Sequence, residues 1–251
     1  MPERLLAPEG VASRVEEFAY GGAALVAEDF GSGGGPFVLL HGIGMGRSVF
    51  APLAERLTGQ VIGIDLPGFG EAPEPVRTLT MERHADLVAA FLRDRGIAGA
   101  TVIGHSMGSQ IAAELAARHP DAVARLVLAG PTVDDGARRP VVQALRLLSD
   151  LLGEKPEVLW RGGREYLRGG PHLRRKIRAT LVHRPEEAYR RIACPTLVLR
   201  GDRDPLAPAS WCERIVSLIP DATCVEIPDH GHGTLISDVA PAADAILSFA
   251  R

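Results

Sequence analysis

Thr101-Val102-Ile103-Gly104-His105-Ser106-Met107-Gly108-Ser109 decides how this chain is read. An apolar, β-branched run stops at a glycine, and an alanine-rich helical pattern, Ile111 to Arg118, follows at once. A strand, then G-x-S-x-G, then a helix places the serine on a very tight turn, where the residues two before and two after it must lack side chains. Such a turn pushes the Ser106 hydroxyl out of the sheet, into reach of a base. A serine hydroxyl is a poor nucleophile at neutral pH. The rest of the chain must therefore supply a base, an acid and donors for a developing oxyanion.

Upstream, Val15 to Phe30 reads as a hairpin around Gly21-Gly22. Gly31 to Gly35 is a flexible turn rather than a phosphate loop, because no Lys-Ser/Thr follows it. Phe37-Val38-Leu39-Leu40 is a buried strand ending at His41-Gly42-Ile43-Gly44, and a helix is expected over Arg47 to Leu57. The strand Val61 to Ile64 runs into the turn-rich Asp65-Leu66-Pro67-Gly68-Phe69-Gly70, and Thr80 caps a helix reaching about Arg95. Downstream, strands are expected at Leu126–Ala129, Thr196–Leu199 and Thr223–Ile227, with helices from Trp211 to Ile219 and from Pro241 to Phe249. This alternation predicts an α/β fold, a mostly parallel sheet with helices on both faces.

The rhythm breaks between Pro131 and Ile192, where glycines such as Gly153 and Gly162-Gly163 divide short helical stretches. The reading is a core of residues 1–131 and 192–251 with a small helical cap inserted at 132–191. Of the 28 Lys+Arg, 14 fall in this cap beside 8 of the 31 Asp+Glu, so the cap is net +6 and the remainder −9. The favoured reading of that charge is the solvated outer face of amphipathic helices, with Arg174, Arg175 and Arg178 opposite Leu173, Ile177 and Leu181. The rival reading is attraction of an anionic substrate.

With 46% hydrophobic and 24% charged residues, the 251-residue chain has an ordinary globular composition. A net charge of −3 gives no ground for a nucleic-acid partner. Three cysteines without framework spacing read as reduced thiols in a cytoplasmic protein, and none lies in a Cys-His metal pattern. The opening Met1-Pro2-Glu3-Arg4 carries an acid and a proline where a signal peptide needs an apolar core, so none is expected, and no run of about 18 apolar residues suggests a membrane partner.

Functional groups of open α/β sheets gather at the carboxyl ends of strands. After Leu199 comes Arg200-Gly201-Asp202-Arg203-Asp204, with two candidate acids. After Ile227 comes Pro228-Asp229-His230-Gly231-His232, with two candidate bases. The order Ser, Asp, His is the one expected of such a sheet enzyme. One oxyanion donor is the backbone N–H of Met107, at the start of a helix whose dipole assists. His41 and His105 flank the site as loop braces, and Asp65 is expected to hold the glycine-rich turn. His84, His119, His172 and His183 are expected as surface or packing residues.

Together, His41-Gly42, Asp65 to Gly70, Gly104 to Gly108, Gly201-Asp202-Arg203-Asp204 and Gly231-His232 make the chain resemble the α/β-hydrolase superfamily over nearly its whole length. The resemblance implies the α/β-hydrolase fold. It implies Asp204 rather than Asp202 as the acid, His232 rather than His230 as the base, and the Ile43 N–H as second oxyanion donor. It further implies hydrolysis of a small carboxylic ester or lactone through an acyl-enzyme on Ser106, with no cofactor and no metal. A serine at this position speaks against dehalogenase or epoxide-hydrolase chemistry, whose relatives carry an aspartate there. A thioesterase and a carbon–carbon bond hydrolase, lyase or cofactor-free oxidation enzyme stay open on the same scaffold. A non-catalytic binding protein that kept the fold is the remaining alternative. The expected partner is a small molecule.

Overall fold

In a computed structural model, residues 6–134 and 172–251 are described. The expected cap at 132–191 therefore falls largely outside them, and with it the short helical stretches expected around Gly153 and Gly162-Gly163.

The chain opens with the hairpin β1 (Ser13–Tyr20) and β2 (Ala23–Phe30) around Gly21 and Gly22, both at positive φ. It continues through β3 (Phe37–Leu40), β4 (Val61–Asp65), β5 (Ala100–His105) and β6 (Val123–Ala129) to β7 (Thr196–Gly201) and β8 (Ala222–Ile227). The eight strands form one sheet in the order β1-β2-β4-β3-β5-β6-β7-β8. β2 is antiparallel to β1 and β4, and every other pairing is parallel.

Alternation along the central strands divides the core into two. Val38, Leu40, Val102, Leu126 and Leu128 face a cluster with α2 (Met81–Asp94) and α3 (Met107–Arg118). Phe37, Leu39, Ile103, Val127 and Ala129 face the opposite cluster with the C-terminal helix. Each fully buried Leu, Ile or Val contributes about 1.5–3 kcal/mol relative to exposure. This two-sided burial explains why these strands read as continuous apolar runs. Thr80 caps α2, its side-chain oxygen accepting from the Arg83 N–H.

One expected helix is shorter than its pattern. Arg47–Phe50 is a 3₁₀ turn, followed by the single turn α1 (Ala51–Ala54) with Pro52 in its first turn. Proline lacks an N–H, so a helix begins there more readily than it passes through. After β6, the described helices are α4 (Leu173–Val182), α5 (Pro185–Tyr189), α6 (Ala209–Leu218) and α7 (Ala240–Ala250). In α4 the expected face is turned. Leu173 is buried, but so are Lys176 and Thr180, while Ile177 and Leu181 are half-buried. Lys176 finds Gly68 O and Glu74 on neighbouring elements, and the Thr180 hydroxyl donates to Lys176 O one turn back in the same helix, so the core accepts both. Among the described residues, no helix is long and apolar enough to cross a membrane.

Candidate active site

Ser106 joins β5 to α3 with φ 55° and ψ −118°, a region non-glycine residues rarely occupy and that costs about 1–3 kcal/mol. The surrounding chain holds it there. The Ser106 N–H donates to Ala129 O at 3.0 Å, and the Ser109 N–H donates back to Ser106 O at 3.0 Å. The two glycines of the motif are obligatory for space. A Cβ on Gly104 would lie 2.3 Å from Gly108 O, and one on Gly108 would lie 2.1 Å from Leu40 O.

The loop after β3 passes close by. A Cβ on Gly42 would sit 3.1 Å from Ser106 Cβ, so the peptide leading into Ile43 borders the serine, as does Met107 at the first turn of α3. His41 braces this loop. Its Nε2 accepts from the Leu66 N–H at 3.1 Å, which leaves Nδ1 protonated to donate to Gly42 O at 2.8 Å. Burial pushes the His41 pKa down, which suits this neutral tautomer.

Asp65 holds the adjoining turn, as expected. It accepts from the Arg47 N–H at 2.5 Å and the Glu71 N–H at 3.0 Å, and it pairs with the Arg47 guanidinium. Arg47 itself is buried and also pairs with Glu28 at 2.9 Å and Glu71 at 2.6 Å. Burial works against that charge, but the surrounding carboxylates raise the Arg47 pKa above its ordinary value. Nothing local in the sequence ties Glu28 to Arg47, and this network was not legible there.

At the ends of β7 and β8, Asp204 Oδ2 lies 2.8 Å from His232 Nδ1, and both residues are buried. The other Asp204 oxygen accepts from the Leu206 and Ala207 N–H groups at 2.8 and 3.1 Å. Burial alone would raise the Asp204 pKa, but the His232 charge and these hydrogen bonds outweigh it and hold the carboxyl below its ordinary value. Asp202 instead accepts from the His230 N–H at 3.1 Å on the exposed side of the loop. His230 is tied to Pro228 O and Asp238 O. A Cβ on Gly201 would lie 2.1 Å from His230 O, so this glycine lets the two loops meet.

His105 braces the histidine loop. Its Nε2–H donates to His232 O at 2.9 Å, and the two rings lie 5.0 Å apart. Burial, and then the His232 charge, push its pKa down to about 4, so it stays neutral. Gly130, at φ 51°, was missed in the sequence. A Cβ there would be 2.9 Å from His232 Cε1 and 3.3 Å from Asp204 Oδ2. Its position between an apolar strand and Pro131 was the available signal.

Two further side chains escaped sequence reasoning. Gln110, one turn into α3, donates to Thr132 O at 2.7 Å and Thr180 O at 3.2 Å, so its oxygen faces His183 Nδ1 at 3.1 Å. Lys176 reaches from α4 to Gly68 O and Glu74 Oε2, both at 2.6 Å, with its ammonium 4.3 Å above the Phe69 ring. Glu82, Glu114 and His183 bring three metal-type ligand atoms within 4.8 Å of one another. Within the trio, however, His183 Nε2 already meets Glu114 Oε1 at 2.9 Å, and Arg191 stands 3.8 Å from Glu114 Oε2. That balance is the one of an ion-pair network.

The model of the alpha/beta hydrolase family matches residues 37–245. The chain belongs to the α/β-hydrolase family. It is 30% identical over 236 residues to the pimeloyl-[acyl-carrier protein] methyl ester esterase of Chromobacterium violaceum, covering 82% of this chain and 90% of that protein. It is 27% identical over 246 residues to the 2-hydroxy-6-oxo-6-(2'-aminophenyl)hexa-2,4-dienoic acid hydrolase of Metapseudomonas resinovorans, covering 86% and 84%. Among solved structures, a thermophilic esterase from Thermogutta terrifontis matches with a TM-score of 0.79 at 27% identity, over 94% of this chain and 97% of that one. This α/β hydrolase thus has relatives that include esterases and hydrolases of other bonds.

Proposed function

We propose that the chain is a serine hydrolase that cleaves a small carboxylic ester through an acyl-enzyme. Ser106 Oγ attacks the carbonyl carbon while His232 takes its proton, and the Ile43 and Met107 N–H groups stabilise the oxyanion. Collapse of the tetrahedral intermediate expels the alcohol, protonated by His232. Water then enters, loses a proton to the same imidazole and releases the acid, restoring Ser106.

The observation that carries this reading is the 2.8 Å contact from Asp204 Oδ2 to His232 Nδ1. A carboxylate at Nδ1 fixes the proton on that nitrogen, which makes Nε2 the proton acceptor. The low Asp204 pKa keeps the acid ionised at neutral pH, where it stabilises the imidazolium formed during attack. The domain reading, a core of residues 1–131 and 192–251 with a cap at 132–191, belongs to the same proposal. In it, α4 closes one side of the pocket and selects the small-molecule substrate.

The test is hydrolysis of p-nitrophenyl acetate and butyrate. Ser106→Ala lowers the rate at least about a thousandfold while the circular dichroism spectrum is unchanged. A variant that keeps its activity contradicts the assignment. A second reading, cleavage of a carbon–carbon bond on the same residues, is favoured by the dienoic acid hydrolase relative, whose substrate contains no ester. Parallel assays on esters, thioesters and a dienoic acid separate the two readings.

A further inference from the structure

A groove of about 580 Å³ lies between the start of α2, the C-terminal half of α3 and the α4–α5 segment. Its walls carry Arg118, Arg175, Arg178, Arg184 and Arg191 against Glu82, Glu114 and Glu187. The cations are not equivalent. Arg118 is held by both Asp86 oxygens at 3.0 Å, and Arg191 stands by Glu114. Among the described residues, Arg175, Arg178 and Arg184 make no ion pair. Of the acids, Glu114 is already engaged by His183.

The groove shares part of its wall with a small cavity beside the elbow. Thr78, Leu79, Met81 and Ala179 line it and also line the small cavity that ends at Met107. Arg175, Arg178 and Ala179 are one turn or less apart on α4, so the same helix presents both an apolar floor near Met107 and unpaired guanidinium groups beyond it. Guanidinium groups offer paired donors that fit a carboxylate or a phosphate.

We propose that this groove holds an anionic tail, carboxylate or phosphate, of the molecule whose acyl group lies at Ser106. The inference rests on the acyl-transfer reading above. It turns the excess positive charge around α4 into a specificity device, with Arg175 and Arg178 as the determining residues. A tail on the acyl side would be a carboxylate, and a tail on the leaving group would be a phosphate.

The experiment compares the wild-type protein with the Arg175→Gln/Arg178→Gln double variant on two matched series. The first pairs p-nitrophenyl butyrate with p-nitrophenyl monoesters of dicarboxylic acids of increasing length. The second pairs the butyryl thioester of pantetheine with that of pantetheine 4'-phosphate. The wild type favours the charged member of one series by about tenfold in kcat/KM, carried in KM and reduced by salt. The double variant loses that preference and keeps its rate on neutral substrates. The series that responds identifies the source of the anion.

Equal rates on charged and neutral members in both series, or a preference that survives in the double variant, overturns the inference. Calorimetric binding of glutarate and of pantetheine 4'-phosphate reads the groove without turnover. The double variant is expected to bind the preferred anion about tenfold more weakly, and equal binding overturns the inference. Loss of the acyl-transfer reading would appear instead as Ser106→Ala activity on the neutral esters.

Discussion

Two kinds of contact surround Ser106. At the elbow and the acid–base loops, backbone approaches backbone, with Gly104 against Gly108, Gly108 against Leu40 O and Gly201 against His230 O. Around them, long polar side chains make the joints, Arg47 to Glu28 and Asp65 and Lys176 to Glu74 as ion pairs, and His183 to Glu114 as a hydrogen bond. A close backbone approach forbids a side chain and so leaves a glycine at a fixed offset, visible in any stretch of sequence. A charged joint requires only some partner somewhere, and Lys176 finds Glu74 102 residues away. The first kind of contact positions Ser106, Asp204 and His232, where we propose that the chemistry occurs. The second ties the neighbouring elements to them.

The comparison is broken most severely at the acid. Asp204→Asn is expected to lower kcat by about 10³–10⁴-fold, because the amide can hold His232 in the wrong tautomer. Asp202→Asn, on the exposed side of the same loop, is expected to stay within about twofold. Steady-state kinetics on p-nitrophenyl butyrate checks both, and a larger loss at Asp202 would move the acid.

The charged joints are expected to act on stability first. Arg47→Leu leaves Glu28 and Asp65 buried without their cation, a change that costs about 3–5 kcal/mol. For a chain of this size that lowers Tm by about 10 °C or more, read by scanning calorimetry. A shift of only a degree or two would mean that the network is peripheral.

Acid should sharpen the same contrast. His84 is buried, and burial pushes its pKa down to about 4, as it does for His105. In the unfolded chain each titrates near pH 6.5. Between about pH 6.5 and 4 the unfolded state therefore binds more protons, and stability falls as pH falls through that window. Each histidine contributes up to about 3 kcal/mol at neutral pH that acid removes. His84→Gln is expected to flatten the Tm-against-pH profile over that window, and an unchanged slope would exclude His84 as its source.

Legibility in the sequence followed these contacts. The hairpin at Gly21-Gly22, the Thr80 cap, the central strands and the elbow were all local, and the fold was read from them. The paired acids and bases were local too, yet the choice of Asp204 and His232 over Asp202 and His230 came from family resemblance, because both members of each pair share one loop. Lys176 on the buried side of α4 ran against its amphipathic pattern, since its partners Gly68 and Glu74 lie 108 and 102 residues away, whereas Thr180 is satisfied inside the helix by Lys176 O. The Arg47 network and Gln110 were illegible for the same reason.

The central claim is that Ser106 forms a covalent bond to the substrate carbonyl. Its most direct test is stoichiometric labelling with an alkyl p-nitrophenyl phosphonate, whose phosphorus is attacked in place of that carbon, followed by peptide mass spectrometry. The account predicts one adduct per chain, on the peptide carrying Ser106, with loss of p-nitrophenol and of esterase activity in step. An adduct on another residue, or full labelling of Ser106→Ala, would contradict it.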